Sequence, residues 1–173
     1  MVTTRIQIKP HLKEYISGKF NQFSDQPVRI PNRLDLYYQI FDLTRKRPTR
    51  CAVDTGNLEI ILPEPRSSKH PETYNYLSVN SQKLIQRKIE IMFWVELREY
   101  IDFEHYRNGK NYIESVCLFM KKYGIKSITE DALLKNYYRY RKKVRNSEKR
   151  GYNFKKMLVP KRCILSGKNG NKQ

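Results

Sequence analysis

At 173 residues, with 39% hydrophobic and 12% aromatic content, the chain is too apolar for disorder and long enough to bury a core without disulfide staples. Its three cysteines, Cys51, Cys117 and Cys163, are odd in number and far apart, which argues against a disulfide framework; an apolar run such as Ile91-Met-Phe-Trp-Val95 falls far short of a membrane span of ~20 residues. Of the net charge of +18, +14 sits in residues 121–173, where 17 Lys or Arg meet three acids, so a nearly balanced body carries a strongly cationic end.

The opening Met1-Val-Thr-Thr-Arg-Ile-Gln-Ile-Lys9 alternates instead of forming an apolar block. No ordinary secretory signal is expected, and a reducing, cytoplasmic location is. Residues 2–9 read as a strand with Thr4, Ile6 and Ile8 on one face. Pro10 suits the first turn of a helix whose stripe is Leu12, Tyr15, Ile16 and Phe20. Asp25-Gln-Pro is a turn, and Val28 and Ile30 form a short extended piece. Asn32 is placed to cap a second helix lined by Leu34, Tyr37, Tyr38 and Phe41, with Ile40 and Leu43 adding to it; Arg45-Lys-Arg47 would meet its negative end before Pro48. Cys51-Ala-Val53 and Leu58-Glu-Ile-Ile-Leu62 flank Asp54-Thr-Gly-Asn57, the pattern of a hairpin. A proline-rich loop follows over residues 63–71. Ser78 or Asn80 caps a long helix to about Ile101, with Leu84, Ile85, Ile89, Met92, Phe93 and Val95 on its apolar side and Trp94 in core or interface. Residues 112–123 form a further helix with Ile113, Val116, Cys117 and Met120 inside, ended by Gly124. Ser127 and Glu130 have the spacing of a capping box.

The last of these elements carry the functional signal. Helix 112–123, a glycine turn and a helix from Glu130 to about Arg145 have the outline of a helix-turn-helix, whose second helix enters the major groove of DNA. Leu133, Tyr137, Tyr140 and Val144 make a core stripe. Lys135, Tyr138, Arg139, Lys142, Lys143 and Arg145 are left outside. Arg139 and Arg141 can pair with guanine and Asn136 with adenine, while the lysines act on phosphates; Lys149 and Arg150 extend the basic surface. The turn is longer than the compact motif, and Glu130 falls where that motif wants an apolar residue. The opening strand followed by two helices also has the order of a ribbon-helix-helix module.

Signals for catalysis are weak. His11, His70 and His105 are isolated, no Cys or His pair has zinc-ligand spacing, and no Gly-rich phosphate loop appears. Asp54 and Glu59 sit near the expected hairpin, but no lysine follows Glu59 at the spacing a metal nuclease wants. Asp102, Glu104 and His105 read as a solvated helix end. No cofactor, metal or membrane partner is expected.

The stretch Glu130-Asp-Ala-Leu-Leu-Lys-Asn-Tyr-Tyr-Arg-Tyr-Arg141 resembles a segment of small basic proteins, largely uncharacterised, of bacterial prophages and integrated mobile elements. Asn75-Tyr-Leu77 and Thr3-Thr-Arg-Ile-Gln-Ile-Lys-Pro10 are similar too. The resemblance implies a mobile-element setting and gene regulation, and it supplies no catalytic residues.

The expectation is therefore an α+β chain. Residues 1–66 form a mixed strand and helix region with a small antiparallel sheet. Residues 72–146 form a helical region ending in a helix-turn-helix-like unit, and 147–173 a basic, flexible tail. The expected function is non-enzymatic binding of nucleic acid, duplex DNA above all, by a regulator or accessory protein that can form a homodimer. The alternative is an interaction protein that binds an acidic partner or RNA in a phage or replication assembly.

Overall fold

A computed structural model describes residues 1–20, 26–51, 54–64 and 69–157, the side chains of 147–157 excepted. In chain order it holds β1 (Thr3–Ile6), α1 (Pro10–Phe20), α2 (Asp35–Leu43), β2 (Leu58–Ile61), α3 (Val79–Tyr106), α4 (Tyr112–Tyr123) and α5 (Glu130–Met157). The fold is α+β, with helix dominant and a small antiparallel sheet early in the chain. Two compact units divide it, Met1–Leu134 and Lys135–Gln173.

In the first unit, β1 pairs antiparallel with β2 in the register Thr3 to Ile61 and Ile6 to Leu58. Period-2 alternation turns Thr4, Ile6 and Ile8 inward with Leu58, Ile60 and Leu62. Val28 adds a parallel bridge to Ile60, donating to the Glu59 carbonyl at 2.8 Å. Pro10 starts α1, which buries Leu12, Tyr15 and Ile16. Helix α3 is the spine and packs against α1, α2 and α4. Its buried line, Ser81, Ile85, Ile89, Phe93, Leu97 and Ile101, recurs every four residues. Each step of four overshoots a turn by about 40°, so the line winds round the helix and one helix can serve three neighbours. Ser78 caps it by accepting from the Ser81 amide at 3.2 Å. Phe93 meets Tyr15 and Phe119 edge-on at 5.3 and 5.9 Å between ring centres, and Trp94 lies half-buried at its side.

Three helices meet at one carboxylate. Glu96 of α3 accepts from the Tyr15 and Tyr123 hydroxyls and from Lys19 Nζ. Burial pushes its carboxyl up; these donors outweigh that and hold it below the usual range. Gly18 of α1 lets the helices close here, since a Cβ on it would stand 2.3 Å from the Tyr123 carbonyl oxygen.

Several expectations are corrected. The partner of β2 is β1, and Cys51 lies outside any strand; Ala52 and Val53 fall outside the described residues, as does Asp25 of the expected turn. The segment before β2 is held by side chains instead: Asp54 accepts from Thr4 at 3.1 Å and pairs with Arg47. Asn32 does not cap α2. A turn in which Leu34 donates to Pro31 delays the helix, and Leu34 holds the cap position without a side-chain bond. The buried face of α2 is Leu36 and Ile40, leaving Tyr38 exposed, because α3 lies on that side. Its negative end is met by Lys69, whose Nζ donates to the carbonyls of Phe41, Asp42 and Thr44, and not by the run from Arg45 to Arg47. On α3, Leu84 and Val95 face outward. Helix α4 buries Ser115, Val116, Phe119 and Tyr123, leaving Ile113 exposed and Cys117 half-buried, since Phe119 and Tyr123 complete the aromatic cluster with Phe93 and Tyr15. Glu104 is buried and held by Asn108 at 2.9 Å and Lys110 at 2.8 Å, and His105 Nδ1 bonds the Lys110 carbonyl at 2.9 Å. This is a locked helix end and not a solvated one.

Candidate nucleic-acid interface

The approach to α5 is built first. Gly124 ends α4 at φ 64°, a left-handed conformation that glycine adopts without strain. The Ile125 amide returns to the Met120 carbonyl at 2.9 Å, and Ile125 is buried. The expected capping box of Ser127 and Glu130 does not form. Ser127 is drawn to Glu14 of α1, which accepts from the amides of Lys126 and Ser127 and from the Ser127 hydroxyl. Thr129 caps α5 instead, accepting from the Ala132 amide at its side chain (3.4 Å) and at its carbonyl (3.1 Å). Glu130 is thereby free to hydrogen-bond the Cys117 thiol, which together with burial raises that thiol above its ordinary value. Leu133 and Leu134 are buried and fix the first turns.

From Lys135 onward the helix belongs to the second unit. Tyr137 is buried. Lys135, Tyr138, Arg139, Lys142, Lys143 and Arg145 are all exposed, as the 3.6-residue period requires. Lys135, Arg139 and Lys142 fall nearly opposite Tyr137; Asn136 and Lys143 flank them on one side, Tyr138 and Arg145 on the other. Asn136 is half-buried. Two expected placements differ. Of the expected apolar stripe, Tyr140 and Val144 are 37% and 38% exposed. Arg141 stands on the Tyr137 side of the helix, its guanidinium 5.7 Å from that ring, and so is turned away from the outer arc. The helix also runs to Met157, past the expected end near Arg145, since no proline interrupts it before Pro160. Lys149 and Arg150 thus lie in helical backbone, and their side chains fall outside the described ones.

Between residues 135 and 146 the sequence has six cations and no acid. Arg139, Lys142 and Lys143 have no carboxylate three or four residues away in either direction, so the helix cannot neutralise them with its own i,i+4 pairs. Unneutralised charge on one exposed arc attracts a polyanion and releases its counterions. Tyr138, 48% exposed among these cations, offers a ring on which a base can stack.

The carboxylates that could suggest catalysis are engaged in the fold. Glu59 accepts from Thr3 at 2.7 Å and Arg5 at 3.2 Å, and Asp54 is held by Thr4 and Arg47. Among the described residues no three His, Cys, Asp or Glu side chains converge as metal ligands, and no helix is long and apolar enough to cross a membrane. No family model, curated protein or solved structure matches this chain.

Proposed function

We propose that this chain is a non-enzymatic nucleic-acid-binding protein that docks the outer arc of α5 on duplex DNA, as a regulator or accessory protein of a mobile element. The observation that carries the reading is the run of six cations without an acid over residues 135–146, with Arg139, Lys142 and Lys143 exposed. The order of α4, the Gly124 turn and α5 supports a helix-turn-helix mode of docking. The exposed Tyr138 favours a second reading, in which single strands or RNA stack on the same arc.

A fluorescence-anisotropy titration on duplex DNA, single-stranded DNA and RNA at two salt concentrations decides between them. Duplex preference with a steep salt slope supports the first reading, and single-strand or RNA preference the second. Binding to none of the three, or a slope unchanged by Arg139→Ala with Lys142→Ala, removes both and leaves an acidic protein partner.

A further inference from the structure

Residues 43–53 carry four cations, Arg45, Lys46, Arg47 and Arg50, and no acid. Such a run after a helix would ordinarily meet the negative end of the helix dipole. Here that post is taken, since Lys69 Nζ donates to the carbonyls of Phe41, Asp42 and Thr44. Arg45, Lys46 and Arg50 are left exposed, and among the described residues none of the three forms an ion pair. Asp42, three residues before Arg45, is exposed and does not pair with it. Ala52, Val53 and residues 65–68 supply no carboxylate.

The segment is nevertheless held in place. The Arg45 backbone donates to Tyr76 at 3.0 Å and accepts from it at 3.1 Å. Arg47 is engaged as an anchor: it pairs with Asp54, donates to Asn75 Oδ1 at 3.1 Å and lies 5.9 Å from the centre of the Tyr76 ring. Lys46 Nζ lies 5.7 Å from the centre of the Tyr74 ring. A ring steadies a cation without neutralising it, so Lys46 keeps its charge for an anion. A turn closed by the Cys51 amide on the Pro48 carbonyl at 3.2 Å carries Arg50 at its third position.

Unneutralised cations on a segment already fixed suit a polyanion, because little ordering remains to be lost on binding. The tyrosines indicate its form. Tyr74 and Tyr76 are half-buried with a cation over each ring, so they brace the cations rather than present a face to an unpaired base. Charge without a stacking platform suits a duplex, which displays its phosphates and keeps its bases stacked inside. We propose that residues 45–50 form a second contact surface, in the first unit, for the phosphate backbone of duplex DNA. It carries no base reading of its own and does not require the α5 arc to bind.

Anisotropy titrations of the full chain on a duplex and on a single strand of equal length, over a range of salt, test it. The starting protein carries Arg139→Ala, Lys142→Ala and Lys143→Ala, so that the outer arc of α5 does not mask the result. Adding Arg45→Ala, Lys46→Ala and Arg50→Ala should lower the duplex salt slope by about two to three units, at ~0.9 per phosphate. Adding instead Lys83→Ala, Arg87→Ala and Arg107→Ala, three exposed cations elsewhere in the first unit, should lower it by less than about one unit. In the native chain, saturating duplex should protect Lys46 from acetylation and leave Lys83 reactive, a measurement that needs no variant to fold. An unchanged slope, an equal fall with the control substitutions, a fall on the single strand alone, or Lys46 unprotected by duplex overturns the proposal. Docking by α5 is judged by the starting protein against the native chain, and this surface by the added substitutions, so either can fail without the other.

Discussion

Glu14 Oε2 accepts from the backbone amide of Ser127 at 3.0 Å and from its hydroxyl at 2.8 Å, with the Lys126 amide 2.8 Å away on the same oxygen. A carboxylate in the first helix thus fixes the connection between the last two, 113 residues along the chain. Burial pushes this carboxyl up, but the three donors outweigh it and hold it below its ordinary value of 4.5. Its contribution to stability is therefore full above that value and is lost as pH falls below it, through the lower folded value. Glu14→Ala should cost about 1 kcal/mol at neutral pH, reduced from the buried case by the exposure of the site. Ser127→Ala, which spares both amides, should cost less. Urea melts between pH 3 and pH 7 check this, and a Glu14→Gln variant with the same acid limb as the native chain would show that another group is responsible.

Glu96 should be the costliest surface-reaching carboxylate to remove. Glu96→Leu leaves the fully buried Tyr15 hydroxyl and the Tyr123 hydroxyl without the carboxylate they share and strips Lys19 of its counter-charge, at on the order of 2–4 kcal/mol. Burial, and then the neighbouring Glu96, raise the Tyr15 and Tyr123 hydroxyls above their ordinary value of 10. Stability from that source is present below pH 10 and lost as pH climbs above it. Absorbance of tyrosinate should show these two rings ionising only with unfolding. Tyr15→Phe with Tyr123→Phe should remove that alkaline limb.

Gly18→Ala tests the close approach of α1 to α4. Alanine is the better helix former by about 1 kcal/mol. Its Cβ would nonetheless meet the carbonyl of Tyr123 at 2.3 Å, and backbone cannot swing aside as a side chain can. The net result should be a loss of about 1–3 kcal/mol, read by chemical denaturation. A gain in stability would mean that the two helices stand further apart.

What the sequence discloses follows the range of the interaction. The inward face of β1, the stripe of α1, the Ser78 cap and the Gly124 cap each rest on near neighbours, and all are legible. The faces of α2 and α4 are not, because apolar side chains run most of the way round both. Leu36 with Ile40 and Tyr37 with Phe41 are equally good stripes until α3 chooses between them. The strand partner of β2 is hidden for a related reason. Gly56 reads as a hairpin turn, but a Cβ there would come within 2.4 Å of the Ile6 backbone, so its role is to admit β1 from fifty residues earlier. Lys69 on the end of α2 and Glu14 on the Ser127 turn are long-range contacts without a local signature. Of the candidate interface, the exposed cations follow from helical period alone, whereas the return of Arg141 to Tyr137 depends on a rotamer that spacing does not specify.

The two faces of α5 should separate in experiment. Leu133→Ala and Tyr137→Ala should destabilise by about 2–5 kcal/mol through the cavities they leave. Arg139→Ala with Lys142→Ala should leave the melt nearly unchanged, since exposed charges contribute little, and should lower the DNA salt slope by about one unit for each phosphate no longer neutralised. Equal effects of the two classes on melting would mean that the faces are misassigned.

Base reading, as opposed to attraction, should fall to Asn136 and Arg139. Asn136 and Arg139, like Arg145 at the edge of the arc, have the planar geometry to pair with a base edge in two places; the lysines act as point charges. Arg141 is withdrawn from that role by its stacking on Tyr137. In a random-site enrichment, replacing a base-reading residue should relax selection at one position and cost roughly 1–3 kcal/mol on the preferred sequence. Lys143→Ala should weaken all sequences alike. Arg141→Ala should also leave the consensus intact and instead lower stability by about 0.5–1 kcal/mol, the usual worth of an exposed cation–π contact. Loss of selection at a position in Arg141→Ala would show that the guanidinium leaves Tyr137 for the groove on binding. Enrichment without any consensus for the native chain would remove sequence-specific regulation and leave a protein that coats DNA.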